Sequence, residues 1–178
     1  MGLRLFLQYI MFLLKTYKSY NLIIVMDYVQ QNCDIKYKCS LDRVIDGDTI
    51  DVCIDLGFDV LTRKRCRLLG IDTPESRTSD KEEKKYGLQS KKKLVEWCLK
   101  AIESDKDDIH LEIRCKQGKT KDKYGRVLAE VWIIEGETET NVNGWLCHNN
   151  YAVPYNGQNK ADIKDAHLKN REIIGTLL

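Results

Sequence analysis

Apolar and polar residues alternate from Ile50 to Asp55, with Ile50, Val52 and Ile54 set against Asp51, Cys53 and Asp55. A period of two commits this segment to a strand with one buried face. Strand-like segments flank it. Asp34–Ile45 precedes it across Asp46–Gly47–Asp48–Thr49, whose Asp-Gly pair signals a hairpin turn. Asp59–Ile71 follows Gly57, so the three strands predict a curved meander.

Further along, the period changes. Arg77–Gly87 is charged and aperiodic, which predicts an exposed loop. Leu88–Ile102 spaces Leu88, Leu94, Val95, Cys98, Leu99 and Ile102 as a helix does. Asp108–Cys115 and Val127–Ile134 alternate as strands around a basic loop, Lys116–Arg126. Thr140–Asn150 reads as a short helix interrupted by Gly144, and Tyr151–Gly157 as extended. Lys160–Ile174 reads as an amphipathic helix with Ile163, Ala166, Leu168 and Ile173 on its apolar face. Strands in runs with inserted helices indicate an α+β chain. A five-stranded antiparallel barrel with a helix after the third strand, and about three helices in all, is the order of an OB-fold.

A chain of 178 residues suits one domain with a sizeable core. Its 43% hydrophobic and 31% charged residues are ordinary for a globular protein. A net charge of +2 neither demands nor excludes a nucleic-acid partner, so local clusters must decide. The seven cysteines are scattered, with no C-x-x-C pair. That pattern favours reduced thiols and an intracellular, reducing location. His110, His148 and His167 are isolated and read as ordinary surface or partly buried histidines.

Residues 1–33 form an apolar and basic leader, and the domain proper runs from 34 to 178. The apolar run near its start is too short to span a bilayer comfortably, and no small-x-small cleavage site follows. Three readings stand: a membrane-associated helix within residues 1–25, a weak secretory signal, or upstream sequence foreign to the domain.

Three polar clusters interrupt the barrel pattern: Asp46–Gly47–Asp48–Thr49, Asp72–Thr73–Pro74–Glu75 with Arg67 before it, and Lys121–Asp122–Lys123–Tyr124–Gly125–Arg126. Taken singly they are a hairpin turn, a helix cap and a solvated turn. Together they supply what phosphodiester hydrolysis requires. Aspartates and a carbonyl oxygen suit a hard cation such as Ca²⁺. A further carboxylate can hold a water. Two guanidiniums can clamp a phosphate bidentately, which lysine cannot.

The segments VIDGDTI, RLLGIDTPE and DKYGRVLAEV, in this order, resemble the staphylococcal-type thermonuclease family. The resemblance covers about Tyr37 to Ile174. It implies a Ca²⁺-dependent endonuclease on an OB-fold, acting on single-stranded or opened DNA and RNA with little sequence preference. It implies metal ligation by Asp48, Asp72 and the Thr73 carbonyl. Glu75 would orient or deprotonate the attacking water, and Arg67 and Arg126 would be the catalytic arginines. Lys123 and Tyr124 would hold a terminal phosphate, and Tyr155 would lie beside the base. No obligate protein partner is evident, and a monomer is expected. The alternative is an OB-fold module that binds nucleic acid or protein without cleaving it.

Overall fold

The structure, a computed structural model, describes residues 35–102, 109–116, 118 and 120–176. Its elements are β1 (Ile35–Asp46), β2 (Thr49–Asp55), β3 (Leu61–Leu68), β4 (Ile71–Asp72), α1 (Lys81–Ile102), β5 (Ile109–Cys115), β6 (Val127–Glu135), β7 (Thr138–Asn141), α2 (Val142–His148), β8 (Val153–Pro154) and α3 (Lys160–Gly175). The main sheet runs β3-β2-β1-β5-β6-β7. It closes on itself because β3 also pairs with β6, Cys66 opposite Val127 and Leu68 opposite Ala129. Five strands thus make a barrel, as expected. The closing pair is parallel, whereas the other main-sheet pairings are antiparallel. The barrel is therefore mixed rather than wholly antiparallel.

The alternation in β2 does what its period demands. Ile50 and Val52 are fully buried and Ile54 nearly so. They meet Cys66 and Leu68 of β3, Leu111 and Ile113 of β5, and Ala129, Val131 and Ile133 of β6. Leu94 and Cys98 of α1, with Val142 and Leu146 of α2, complete the same core. Each fully buried Val, Leu or Ile among them contributes about 1.5–3 kcal/mol on leaving water. Burial also pushes the Cys66 and Cys98 thiols up to about 12, so both stay protonated at neutral pH.

Two expectations change. The segment Arg77–Gly87 is not all loop, because α1 begins at Lys81. Asp80 caps it, its Oδ1 accepting from the amides of Glu82 (2.9 Å) and Glu83 (3.1 Å). Glu82 and Glu83 then sit favourably in the positive first turn. On α3 the inward stripe is not the one the apolar residues outline. Ile163 and Ile174 are buried, while Leu168 is exposed. Between the two isoleucines the partly buried positions are His167, Asn170 and Arg171.

The location read from the cysteines and the leader is also withdrawn. Among the described residues no helix is long and apolar enough to cross a membrane. The apolar run on which a secreted or membrane-associated reading rests, residues 1–25, lies outside the described residues, as does Cys33. Cys39, Cys53, Cys66, Cys98 and Cys147 are free thiols, and core packing accounts for Cys39, Cys66, Cys98 and Cys147 without reference to a compartment.

The outer face of the first three strands is ionic. Asp51 of β2 accepts from Arg65 Nε at 2.7 Å and Nη2 at 2.9 Å, and from Arg43 Nε at 2.9 Å. The Arg65 hydrogen bonds, with those of Arg43, outweigh desolvation and hold the Asp51 carboxyl at about 2. A folded value below the unfolded one stabilises at neutral pH, and that stabilisation disappears as pH falls from about 4 through about 2. Asp51→Asn is therefore expected to lower the urea midpoint at pH 7. Its deficit against wild type should close near pH 2, which urea unfolding at the two pH values will read.

Candidate active site

The hairpin between β1 and β2 and the loop after β4 are locked together by small residues. A Cβ added to Gly47 would lie 2.8 Å from both Ser90 Cβ and Thr73 Oγ1. Only glycine allows the turn to approach α1 and the Thr73 loop so closely. Asp46, buried at the end of β1, accepts from the Gly47 amide at 2.9 Å and the Ser76 amide at 3.3 Å. Ser90 donates to the Tyr151 carbonyl at 2.6 Å, tying α1 to the segment before β8. From the other side, Asn143 donates to the Leu69 carbonyl at 2.9 Å, while its Oδ1 accepts from the Val131 amide at 3.0 Å.

These ties bring Asp48, Arg67 and Asp72 to one point. Arg67 Nη1 is ion-paired with Asp48 Oδ2, and Arg67 Nη2 lies 2.8 Å from Asp72 Oδ1. The same Nη1 donates to the Asp48 carbonyl at 3.3 Å. All three side chains are nearly buried. The Thr73 amide donates to Asp48 Oδ2 at 3.3 Å, so Thr73 also borders the pair. Asp72 is held in register by β4 pairing with β8, where it lies opposite Val153.

The two carboxylates differ electrically. Burial pushes the Asp48 carboxyl up, with Arg67 pulling it down and Asp72 adding to the rise. Burial also raises Asp72, but a hydrogen bond with His167 and the charges of Lys160 and Arg67 together bring it below the usual carboxylate range. His167 Nε2 is 3.2 Å from Asp72 Oδ2, and Lys160 Nζ is 3.7 Å from Asp72 Oδ1. Lys160 also stands 3.5 Å from Glu75 Oε1. Glu75 is thus drawn to the rim of the same cluster, its side chain largely exposed.

Lys123, Tyr124 and Arg126 belong to a second group. Asp122 organises their turn, accepting at Oδ1 from the Tyr124 and Arg126 amides, both at 2.9 Å. Its Oδ2 receives Arg126 Nε at 2.6 Å. Lys123 Nζ and the Arg126 guanidinium lie 5.0 and 5.5 Å from the centre of the exposed Tyr124 ring. Arg126 immediately precedes Val127, which pairs with Cys66, so both arginines arise on adjoining strands. No direct contact joins Arg126 to the Arg67 cluster among the described residues. Tyr155 follows β8 and donates its amide to the Gly70 carbonyl at 2.8 Å, two residues before Asp72.

Two buried carboxylates converging on one guanidinium form a place where oxygen ligands already share a cation. That donor set fits a hard ion. Among the described residues no group of three or more His, Cys, Asp or Glu side chains is arranged to hold a metal ion by itself. A metal here would take Asp48, Asp72 and non-carboxylate oxygens.

Sequence reasoning did not find Lys160, His167, Asn143, Ser90 or Gly87. Gly87 carries a signal, since glycine inside a helix costs about 1 kcal/mol relative to alanine. Its virtual Cβ falls 2.5 Å from the Glu75 carbonyl carbon, so it lets α1 lie directly on the backbone that carries Glu75. Lys160 and His167 are seven residues apart, two turns of one helix face, but nothing local marks them as neighbours of Asp72.

The pattern of the Staphylococcal nuclease homologue family matches residues 65–173. That span takes in Arg67, Asp72, Glu75 and Arg126, while Asp48 lies before it and reaches the site through the fold. Endonuclease YhcR of Bacillus subtilis (strain 168) is 34% identical over 121 residues, which cover 67% of this chain and 9% of that protein. Endonuclease YncB of the same organism is 35% identical over 94 residues, 53% of this chain and 38% of the relative. The Thermonuclease of Staphylococcus intermedius is 38% identical over 95 residues, 51% of this chain and 46% of the relative. The aligned part spans less than half the length of each of these three relatives. With a match over more than half its length and an Asp48–Arg67–Asp72 cluster on a closed five-stranded barrel, the chain belongs to the staphylococcal nuclease homologue family.

Proposed function

We propose that this chain is a nuclease, a Ca²⁺-dependent endonuclease that hydrolyses phosphodiester bonds in single-stranded or opened DNA and RNA with little sequence preference. The observation that carries the proposal is the Arg67 guanidinium held between the buried Asp48 and Asp72, with Glu75 at the rim. We assign the activity to residues 34–178, acting as a monomer.

In this reading Arg67 and Arg126 pair with the oxygens of the scissile phosphate, whose growing charge two preorganised guanidiniums offset. Glu75 orients the attacking water or takes its proton, and Lys160 restrains the Glu75 carboxylate. His167 and Lys160 hold Asp72 charged and fixed in place. Lys123 and Tyr124 receive a terminal phosphate, and Tyr155 lies beside a base. Asp48, Asp72 and the Thr73 carbonyl would hold Ca²⁺, which when bound neutralises phosphate charge as a Lewis acid.

The purified protein is expected to cleave denatured DNA when Ca²⁺ is present and to stop on addition of a chelator, followed on a gel or with an end-labelled oligonucleotide. Binding without chelator-sensitive cleavage would instead identify a nucleic-acid-binding module.

A further inference from the structure

The outward side chains of β3 form a line. Cys66 and Leu68 point into the core, so Arg63, Arg65 and Arg67 occupy the opposite face of the strand. Alternate residues of a strand stand about 6.6–6.8 Å apart. That step is comparable with the spacing of successive phosphates along an extended single strand. Arg67 belongs to the site already described. Arg65 and Arg63 continue the line away from it.

Their surroundings leave positive charge in excess. Arg65 and Arg43 share a single carboxylate, Asp51. Arg63, with its side chain 82% exposed, approaches Asp42 at 3.4 Å. A cleft of about 740 Å³ separates this face from the turn that carries Tyr124 and Arg126. The cleft is lined by five cations and two carboxylates. Cations outnumber carboxylates in the cleft, so ion pairing alone does not account for crowding them into a concave surface. A groove with a net positive charge focuses its field on an anionic ligand. Asp51 serves to hold the Arg65 guanidinium flat by a bidentate contact while leaving the pair of arginines with net charge.

We propose that Arg43, Arg63 and Arg65 form a second phosphate-binding track. It carries a single strand of nucleic acid from the Arg126 end of the site along the outer face of β1, β2 and β3. The proposal rests on the nuclease reading for its biological sense, though not for its physical test. The track recognises the sugar-phosphate backbone, so it raises affinity with strand length and adds no sequence preference.

The experiment compares wild type with Arg63→Ala/Arg65→Ala, using oligothymidylate of about 12 nucleotides, within the span one OB-fold covers. Binding is followed by fluorescence anisotropy in chelator over a range of salt. The double variant is expected to bind at least about tenfold more weakly at low salt. Its log Kd against log salt should flatten by about 1.4, two contacts at about 0.7 each. With Ca²⁺ present, the ratio of kcat/KM on the oligomer to that on a dinucleotide should fall by a similar factor. An unchanged salt slope together with an unchanged ratio overturns the track. Arg63→Glu is the second variant, since the exposed Arg63 makes one 3.4 Å ion pair and its exchange spares the core; it should weaken oligomer binding more than Arg63→Ala. Wild type that binds the oligomer with the predicted slope but cleaves nothing would overturn the nuclease reading and leave the track standing. Wild type that cleaves with no preference for length would overturn the track alone.

Discussion

Exchange of Arg67 for lysine is expected to lower turnover on denatured DNA by about 10²-fold or more, while the protein stays folded. Arginine reaches Asp48 with one Nη and Asp72 with the other, and only a planar fork can do both. Lysine keeps the charge but offers one point of contact. Its ammonium can neutralise one carboxylate well or two poorly, and it cannot present two parallel N–H groups to a phosphate. The stability cost should be about 1 kcal/mol, a fall in Tm of roughly 2–6 °C for a domain of this size. Arg67→Ala separates the two roles. It leaves nearly buried Asp48 and Asp72 without the cation between them, and breaking such a pair costs about 3–5 kcal/mol. Single-turnover kinetics with Ca²⁺ and thermal melts on both variants make the comparison. Near wild-type turnover in Arg67→Lys would refute the bidentate clamp.

Gly87→Ala sets two known effects against each other. Alanine in the interior of α1 should favour the helix by about 1 kcal/mol. Its Cβ, however, would lie 2.5 Å from the Glu75 carbonyl carbon and 2.6 Å from both the Glu75 oxygen and the Ser76 nitrogen. All three are backbone atoms, so no side-chain rotation relieves the contact. Overpacking of this kind costs about 1–3 kcal/mol, which cancels or exceeds the helix gain. The larger effect is on catalysis. The displaced backbone carries Glu75, and a shift of about 1 Å near a reacting centre can cost about 10²-fold in rate. Activity is therefore expected to fall far more than stability does. A variant that is both fully active and more stable than wild type would show that the helix does not position Glu75.

Where local chemistry set the structure, the sequence was readable. The period of Ile50, Val52 and Ile54 defined β2 and its buried face. Asp48, Arg67, Thr73 and Asp72 stood out through the resemblance of VIDGDTI and RLLGIDTPE to a known family, and the fold brings the four together. The closure of the barrel was not readable in its direction. Pairing of β3 with β6 joins residues about sixty apart, and a strand's period carries no record of a distant partner's direction. The start of α1 escaped because Lys81–Lys85 shows no apolar repeat, although Asp80 followed by two glutamates is a cap with an acidic first turn. Lys160 and His167 escaped for a deeper reason. On an amphipathic helix a lysine and a histidine look like solvated residues until the fold brings Asp72 to them. The separation of the Arg126 turn from the Arg67 cluster likewise depends on side-chain packing rather than on motif order.

The position of α3 in the chain sets an order of events during synthesis. Asp46, Asp48, Arg67, Asp72 and Glu75 leave the ribosome early, and the strands that close the barrel follow. The contacts of Asp72 with Lys160 and His167 span 88 and 95 residues and come from the last described element. Contacts so distant in sequence form late, because the intervening loop must first be ordered. A nascent chain that has reached α2 has the strands of its barrel and its carboxylates, but Asp72 has Arg67 alone for a cationic neighbour. Translation must pass His167 before the carboxylate cluster is complete, so the growing polypeptide withholds the finished site until α3 has been made.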